Sequence, residues 1–121
     1  MHNAAQAYGK VARQIASPRE LEANLLLRAA AQLQAVSDGW QERQAELQEV
    51  LFFNRKLWTI LVTSVTSEES QLAADIRQNV ANLGLFVMKQ TLAAAGEPHP
   101  DKLRSLIHIN QELAAGLLGR A

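Results

Sequence analysis

Three histidines, His2, His99 and His108, are the residues of this sequence best suited to proton transfer or metal ligation. They fall at the terminus, between two prolines and in the last apolar stretch. None is expected to stand one helical turn from a second histidine or a suitable carboxylate on one helix face, the spacing that would set two ligands together for a metal. Cysteine is absent, which removes disulfides, thiolate zinc sites and cysteine nucleophiles together. No glycine-rich phosphate loop, nucleophile elbow or dinucleotide fingerprint occurs. The acidic pairs Glu42/Glu46 and Glu68/Glu69 read as solvated helix surface or caps. The expectation is a protein with no catalytic residue, no metal and no cofactor. It is not an enzyme, and it works by binding.

Asparagine is the more informative residue type. Asn54 falls between Leu51 and Trp58 on an apolar stripe, and Asn110 between Ile107 and Ala114 on another. Asn79 sits beside Ile76, Val80 and Leu83, with Asn82 one turn later. An unpaired amide within an apolar face costs about 1–3 kcal/mol, so these side chains need partners. Two readings stand open. The amides bond one another or backbone and fix helix register, or some of them line a groove and bond a docked partner. Trp58 with Arg55 has the composition of a binding hot spot, and equally that of a core indole with its N–H satisfied. Arg77 is a polar interruption of a strongly apolar segment. Gly84, in mid-helix, costs about 1 kcal/mol against alanine, which implies that another helix, internal or foreign, comes close there. Phe52, Phe53, Phe86 and Met88 are candidates for an exposed apolar patch.

The elements that must position these residues are helices. β-branched residues are thin, strict alternation is absent, and Ala, Leu, Gln and Glu dominate. A first helix is expected over about residues 3–15, with Ala4, Tyr8, Val11 and Ile15 on one face. Ser17-Pro18-Arg19-Glu20 is a capping box with proline at the first helical position. It opens a second helix to about residue 37, burying Leu21, Leu25, Leu26, Ala29, Leu33 and Val36. A third should span about residues 40–65, with Leu47, Val50, Leu51, Leu57, Trp58, Leu61 and Val65 on its main stripe and Phe52, Phe53 and Ile60 off it. Residues 67–71 read as a turn or helical lead-in. A fourth helix covers about residues 72–95, with Ile76, Val80, Leu83 and Val87 on one face and Leu85, Met88 and Leu92 on another. A fifth covers about residues 101–118, burying Leu103, Leu106, Ile107, Leu113, Ala114 and Leu117. With 121 residues, the chain is expected to be all-α: a single-domain bundle of about five mostly antiparallel helices.

Five segments resemble a known family. They are Ala7-Tyr8, Ser17-Pro18-Arg19-Glu20-Leu21-Glu22-Ala23, Asn54-Arg55-Lys56-Leu57-Trp58-Thr59-Ile60, the stretch from Ile76 through Arg77-Gln78-Asn79 to Phe86-Val87, and Leu106-Ile107-His108-Ile109-Asn110 with Leu113-Ala114-Ala115-Gly116-Leu117. In this order, across almost the whole chain, they are similar to FlaF, the flagellar biosynthesis regulator family of alphaproteobacteria. The resemblance implies a cytoplasmic factor that promotes flagellin synthesis or export and binds flagellin. It also implies a setting in which FlbT acts on flagellin expression in the opposite sense. It assigns no residue to a binding role. Residues 67–71 and 94–100 match the family least well.

Residues and resemblance together lead to two expected functions. In the first, the protein is a secretion chaperone or adaptor. A groove bordered by the third, fourth and fifth expected helices takes a terminal helical segment of flagellin by its apolar face. Asn54, Arg55, Trp58, Arg77, Asn79, Asn82, Phe86 and Asn110 are the candidate lining residues, and FlbT or the export apparatus are candidate further partners. The alternative is control of flagellin translation through messenger RNA or a partner regulator. Twelve basic and twelve acidic residues cancel, and phosphate binding normally shows a basic excess, so direct nucleic-acid contact is disfavoured. No apolar run approaches the ~20 residues of a membrane span, and no export signal is read at the start.

Overall fold

A computed structural model describes residues 18–119, and over them all the regular structure is helical. α1 spans Pro18–Asp38, the short α2 Trp40–Arg43, α3 Leu47–Thr66, α4 Ala74–Gly96 and α5 Arg104–Leu117. Tighter 3-10 turns at Gln44–Glu46 and Pro100–Leu103 lead into α3 and α5. The helix expected over residues 3–15, and the cap expected from Ser17, lie outside the described residues.

Neighbouring long helices run antiparallel. Arg28 of α1 lies over the ring of Phe53 on α3, while Arg19 shares a hollow with Ser64. Gly84 of α4 meets Val62 of α3, and Leu92 shares a hollow with Phe52. Asn110 of α5 reaches the Leu26 carbonyl on α1, and Asp101 lies beside Asp38. Gln90 of α4 donates to the Lys102 carbonyl at 2.9 Å, while Leu83 and Phe86 border Ile109 of α5. The four helices therefore stand in the order α1, α3, α4, α5 around a square. α4 and α5 touch more thinly than the other neighbouring pairs.

The core follows the helical period. All seven residues expected on the main stripe of α3 are buried, and so are Leu26, Ala29, Leu33 and Val36 of α1. α4 contributes Val80 and Val87, and the α5 side Leu103, Leu106, Ile107 and Ala114. Leu25, Leu83, Leu113 and Leu117 are only partly buried. Leu21 and Ile76, expected inside, are 42% and 44% exposed. Each sits in the first turn of its helix, at one end of the bundle. Gly84 explains the contact between α3 and α4, because a Cβ there would lie 2.6 Å from the Val62 side chain. The helix that comes close at this glycine is internal.

Two element boundaries differ from expectation. The stretch 40–65 is broken rather than continuous, because only Gly39 separates it from α1 and the chain must reverse there. α2 and the 3-10 turn make that reversal, and Arg43 clamps it with two 2.8 Å bonds to Glu46. The hydrogen bond from Arg43 holds the Glu46 carboxyl below its ordinary value, and the same bond raises the Arg43 guanidinium. α4 begins at Ala74 because Ser67 closes a turn first, its carbonyl accepting from the Ser70 N–H at 3.1 Å and its hydroxyl from the Glu69 N–H at 3.3 Å.

Candidate functional site

The eight candidate residues separate into an internal group and a surface group. Asn54, Trp58 and Asn110 have no exposed surface. The Trp58 indole donates to Asn110 Oδ1 at 2.8 Å. Asn110 Nδ2 donates in turn to Asn54 Oδ1 at 2.7 Å and to the Leu26 carbonyl at 3.4 Å. This network ties α3, α5 and α1 together at the centre of the bundle. Of the two readings left open for these amides, the arrangement is the one in which they bond one another and backbone and join the helices. All three are buried, and none of them lines the depression described next. Among the described residues, Asn54 Nδ2 is buried without a hydrogen-bond partner.

Asn79, Asn82 and Phe86 do come together. They line an open, mostly apolar depression along the seam between α4 and α5, completed by Leu83 and Ile109. Phe86 is 43% exposed, and Asn82 Oδ1 accepts from Gln78 one turn earlier at 3.0 Å. The spacing explains the grouping, since 79, 82, 83 and 86 recur at three and four residues and so share one flank of α4. The depression exists because this is the thinly packed side of the square. It is bordered by two of the three helices expected around it. α3 lies behind α4 and does not reach it.

The two arginines stand elsewhere. Arg77 lies two residues before Asn79 and five before Asn82. Neither spacing is close to a whole turn, so it projects from the other flank of α4. It is half-buried, with Nε enclosed and unbonded among the described residues. Arg55 is exposed on α3, its guanidinium 5.6 Å from the centre of the Phe52 ring, in a smaller hollow with Leu92. Of the expected patch, Phe52 and Phe86 are exposed, while Phe53 and Met88 are partly buried against the core.

Sequence reasoning missed the part played by Ile109 and Leu83 in the seam. Leu83 was expected in the core, and Ile109 belonged to no stripe. The available signal was that Ile109 and Leu113 recur at four residues, flanking the core row of Leu103, Leu106, Ile107, Asn110 and Ala114. Among the described residues, no group of three or more His, Asp or Glu could hold a metal ion. Contrary to expectation, one histidine does have a carboxylate one helical turn away: His108 faces Glu112 at 4.0 Å, and His99 faces Asp101 at 3.7 Å, all four being exposed. No described helix is long and apolar enough to cross a membrane.

The model of a family described as "Flagellar protein FlaF" matches residues 4–117. No curated protein and no solved structure matches the chain.

Proposed function

The chain belongs to the FlaF family of flagellar proteins and has a role in flagellum biogenesis, and from that premise we propose that it binds flagellin as a secretion chaperone or adaptor. The observation that carries this reading is the α4–α5 seam, with Leu83, Phe86 and Ile109 as its apolar floor and Asn79 and Asn82 on its edge. An amphipathic helix lays apolar side chains three and four residues apart into such a groove. Exposed amides at the rim can bond the polar edge of the same helix. Terminal segments of flagellin are helix-forming, and they stay unpacked until the filament assembles. Covering one of them in the cytoplasm keeps flagellin from polymerising early and raises the amount fit for export. Control of flagellin synthesis then follows from the level of free flagellin.

The test is direct. Phe86→Ala removes the largest exposed apolar side chain of the seam and should weaken flagellin binding by about 2 kcal/mol, or roughly thirtyfold, as hot-spot truncations do. Asn82→Ala should weaken it less. Helical content and melting should hold in both variants, because neither residue belongs to the core. Binding should respond little to salt, whereas a phosphate-contacting protein loses affinity steeply. Full-strength flagellin binding by both variants would remove the seam from the proposal, and a steep salt response with the flagellin leader RNA would favour translation control.

A further inference from the structure

We infer that two copies of this chain pair through the outer α3–α4 face, with α4 antiparallel to α4 of the second copy and the α4–α5 seam outside the contact. Ala81, Leu85, Met88, Leu92 and Ala95 recur at four, three, four and three residues. That is the spacing of a coiled-coil seam, by which one helix packs lengthwise on another. Val80, Gly84, Val87, Thr91 and Ala94 repeat the same spacing one residue earlier, and they are buried inside the bundle. α4 therefore carries two adjacent packing rows, and the inner one is filled by its own bundle. On the outer row, Leu85 is 64% and Leu92 70% exposed, the highest values for large apolar side chains among the described residues.

α3 continues this face. Phe52 is exposed and shares a hollow with Leu92. Thr59, Thr63 and Thr66 are exposed too, yet each hydroxyl donates to the carbonyl four residues earlier, at 2.9, 2.8 and 2.6 Å. Another helix can cover them without stranding a donor. What fits is a second copy, because the face is its own complement. A two-fold axis crossing α4 between Leu85 and Met88 sets Leu85 against Met88 of the second copy. The same axis sets Ala81 against Leu92, a small side chain against a large one. Charge obeys this symmetry as well. Arg55 stands toward the Leu92 end of the face, 5.6 Å over the Phe52 ring, and Glu68 follows α3 at the other end. Both are exposed. The axis reverses one copy against the other and brings each Arg55 within about one helical turn of the opposite Glu68. Twelve basic and twelve acidic residues leave no net repulsion between copies. α3 and α4 have 20 and 23 residues, which share about 30 Å of length at 1.5 Å per residue. Two helices, each about 10 Å wide, then give roughly 600 Å² a side, or about 1,200 Å² in total, the lower end for stable pairs.

Sedimentation equilibrium of the full-length protein tests the pairing. Over about 1–200 μM, where an interface at the lower end of size associates, it should show a reversible monomer–dimer equilibrium. Leu85→Asp should weaken the dimer at least about thirtyfold, the size of a hot-spot loss. Its helical content should hold, because Leu85 lies outside the core. Arg55→Glu should weaken the dimer about tenfold by setting like charges together. Arg55→Glu combined with Glu68→Arg should restore it, which a general loss of fold would not allow. Phe86→Ala, in the α4–α5 seam, should leave the dimer constant unchanged. A monomer at every concentration overturns the inference, as does a dimer that Leu85→Asp leaves intact or that Phe86→Ala abolishes. A double charge exchange that restores nothing overturns the antiparallel register. Flagellin is absent throughout, so this result stands apart from the flagellin-binding result.

Discussion

Asn110 serves three partners from one side chain, accepting from Trp58 and donating to Asn54 and to the Leu26 carbonyl. Its loss would strand the Trp58 N–H in the core, where no water reaches it. Asn110→Ala should therefore lower stability by about 2–3 kcal/mol, read as a shift in urea midpoint at unchanged slope. Asn54 is a weaker member, since it only accepts, through Oδ1, and its Nδ2 donates no hydrogen bond among the described residues. Asn54→Leu should cost less than Asn110→Leu, and the reverse order would show that the network is misassigned. The sequence placed both amides on apolar faces, but helical period reports a direction and not a depth. That is why Asn54 and Asn110 could not be told from Asn79 and Asn82, which lie on a surface flank of the same kind of stripe.

At the level of elements, the contact between α3 and α4 depends on Gly84. Alanine would gain about 1 kcal/mol of helix propensity. Its Cβ, however, would meet Val62 at 2.6 Å, and a valine in a helix has little rotamer freedom with which to retreat. Overpacking of this sort costs about 1–3 kcal/mol, so Gly84→Ala should melt lower than the parent. Adding Val62→Ala should recover part of the loss, and simple additivity of the two changes would argue against the contact. The break between α2 and α3 carries a pH signature. Glu46 titrates below its ordinary value because Arg43 bonds it, so the bond is fully present above the unfolded glutamate value and is lost as pH falls through the lower folded one. The carboxyl should return to the ordinary range in Arg43→Ala, as followed by NMR. Neither this clamp nor the exposure of Leu21 and Ile76 could be read from periodicity, which assumes a continuous helix with neighbours along its whole length.

Across the whole molecule, the four sides of the square are unequal. The α1–α5 and α3–α4 sides are extensively packed and the α4–α5 side is thin among the described residues. Amide hydrogen exchange should find the seam-facing flank of α4 around Asn82 and Phe86 less protected than α3 around Trp58, because opening needs little buried contact to break. Uniform protection along both helices would contradict this. The all-α bundle and the α3 stripe were legible because long amphipathic segments announce their period plainly. The seam was legible only in part. Asn79, Asn82 and Phe86 belong to it, yet which helices pack thinly depends on the arrangement of all four, and no single segment carries that information. The enclosed indole of Trp58 has an optical consequence. With no exposed surface and its N–H held by Asn110, it should emit to the blue of Trp40, which is partly exposed. The fluorescence colour of the protein therefore reports on the amide network at its centre, and Trp40→Phe would leave that signal alone for stopped-flow or ligand-titration work.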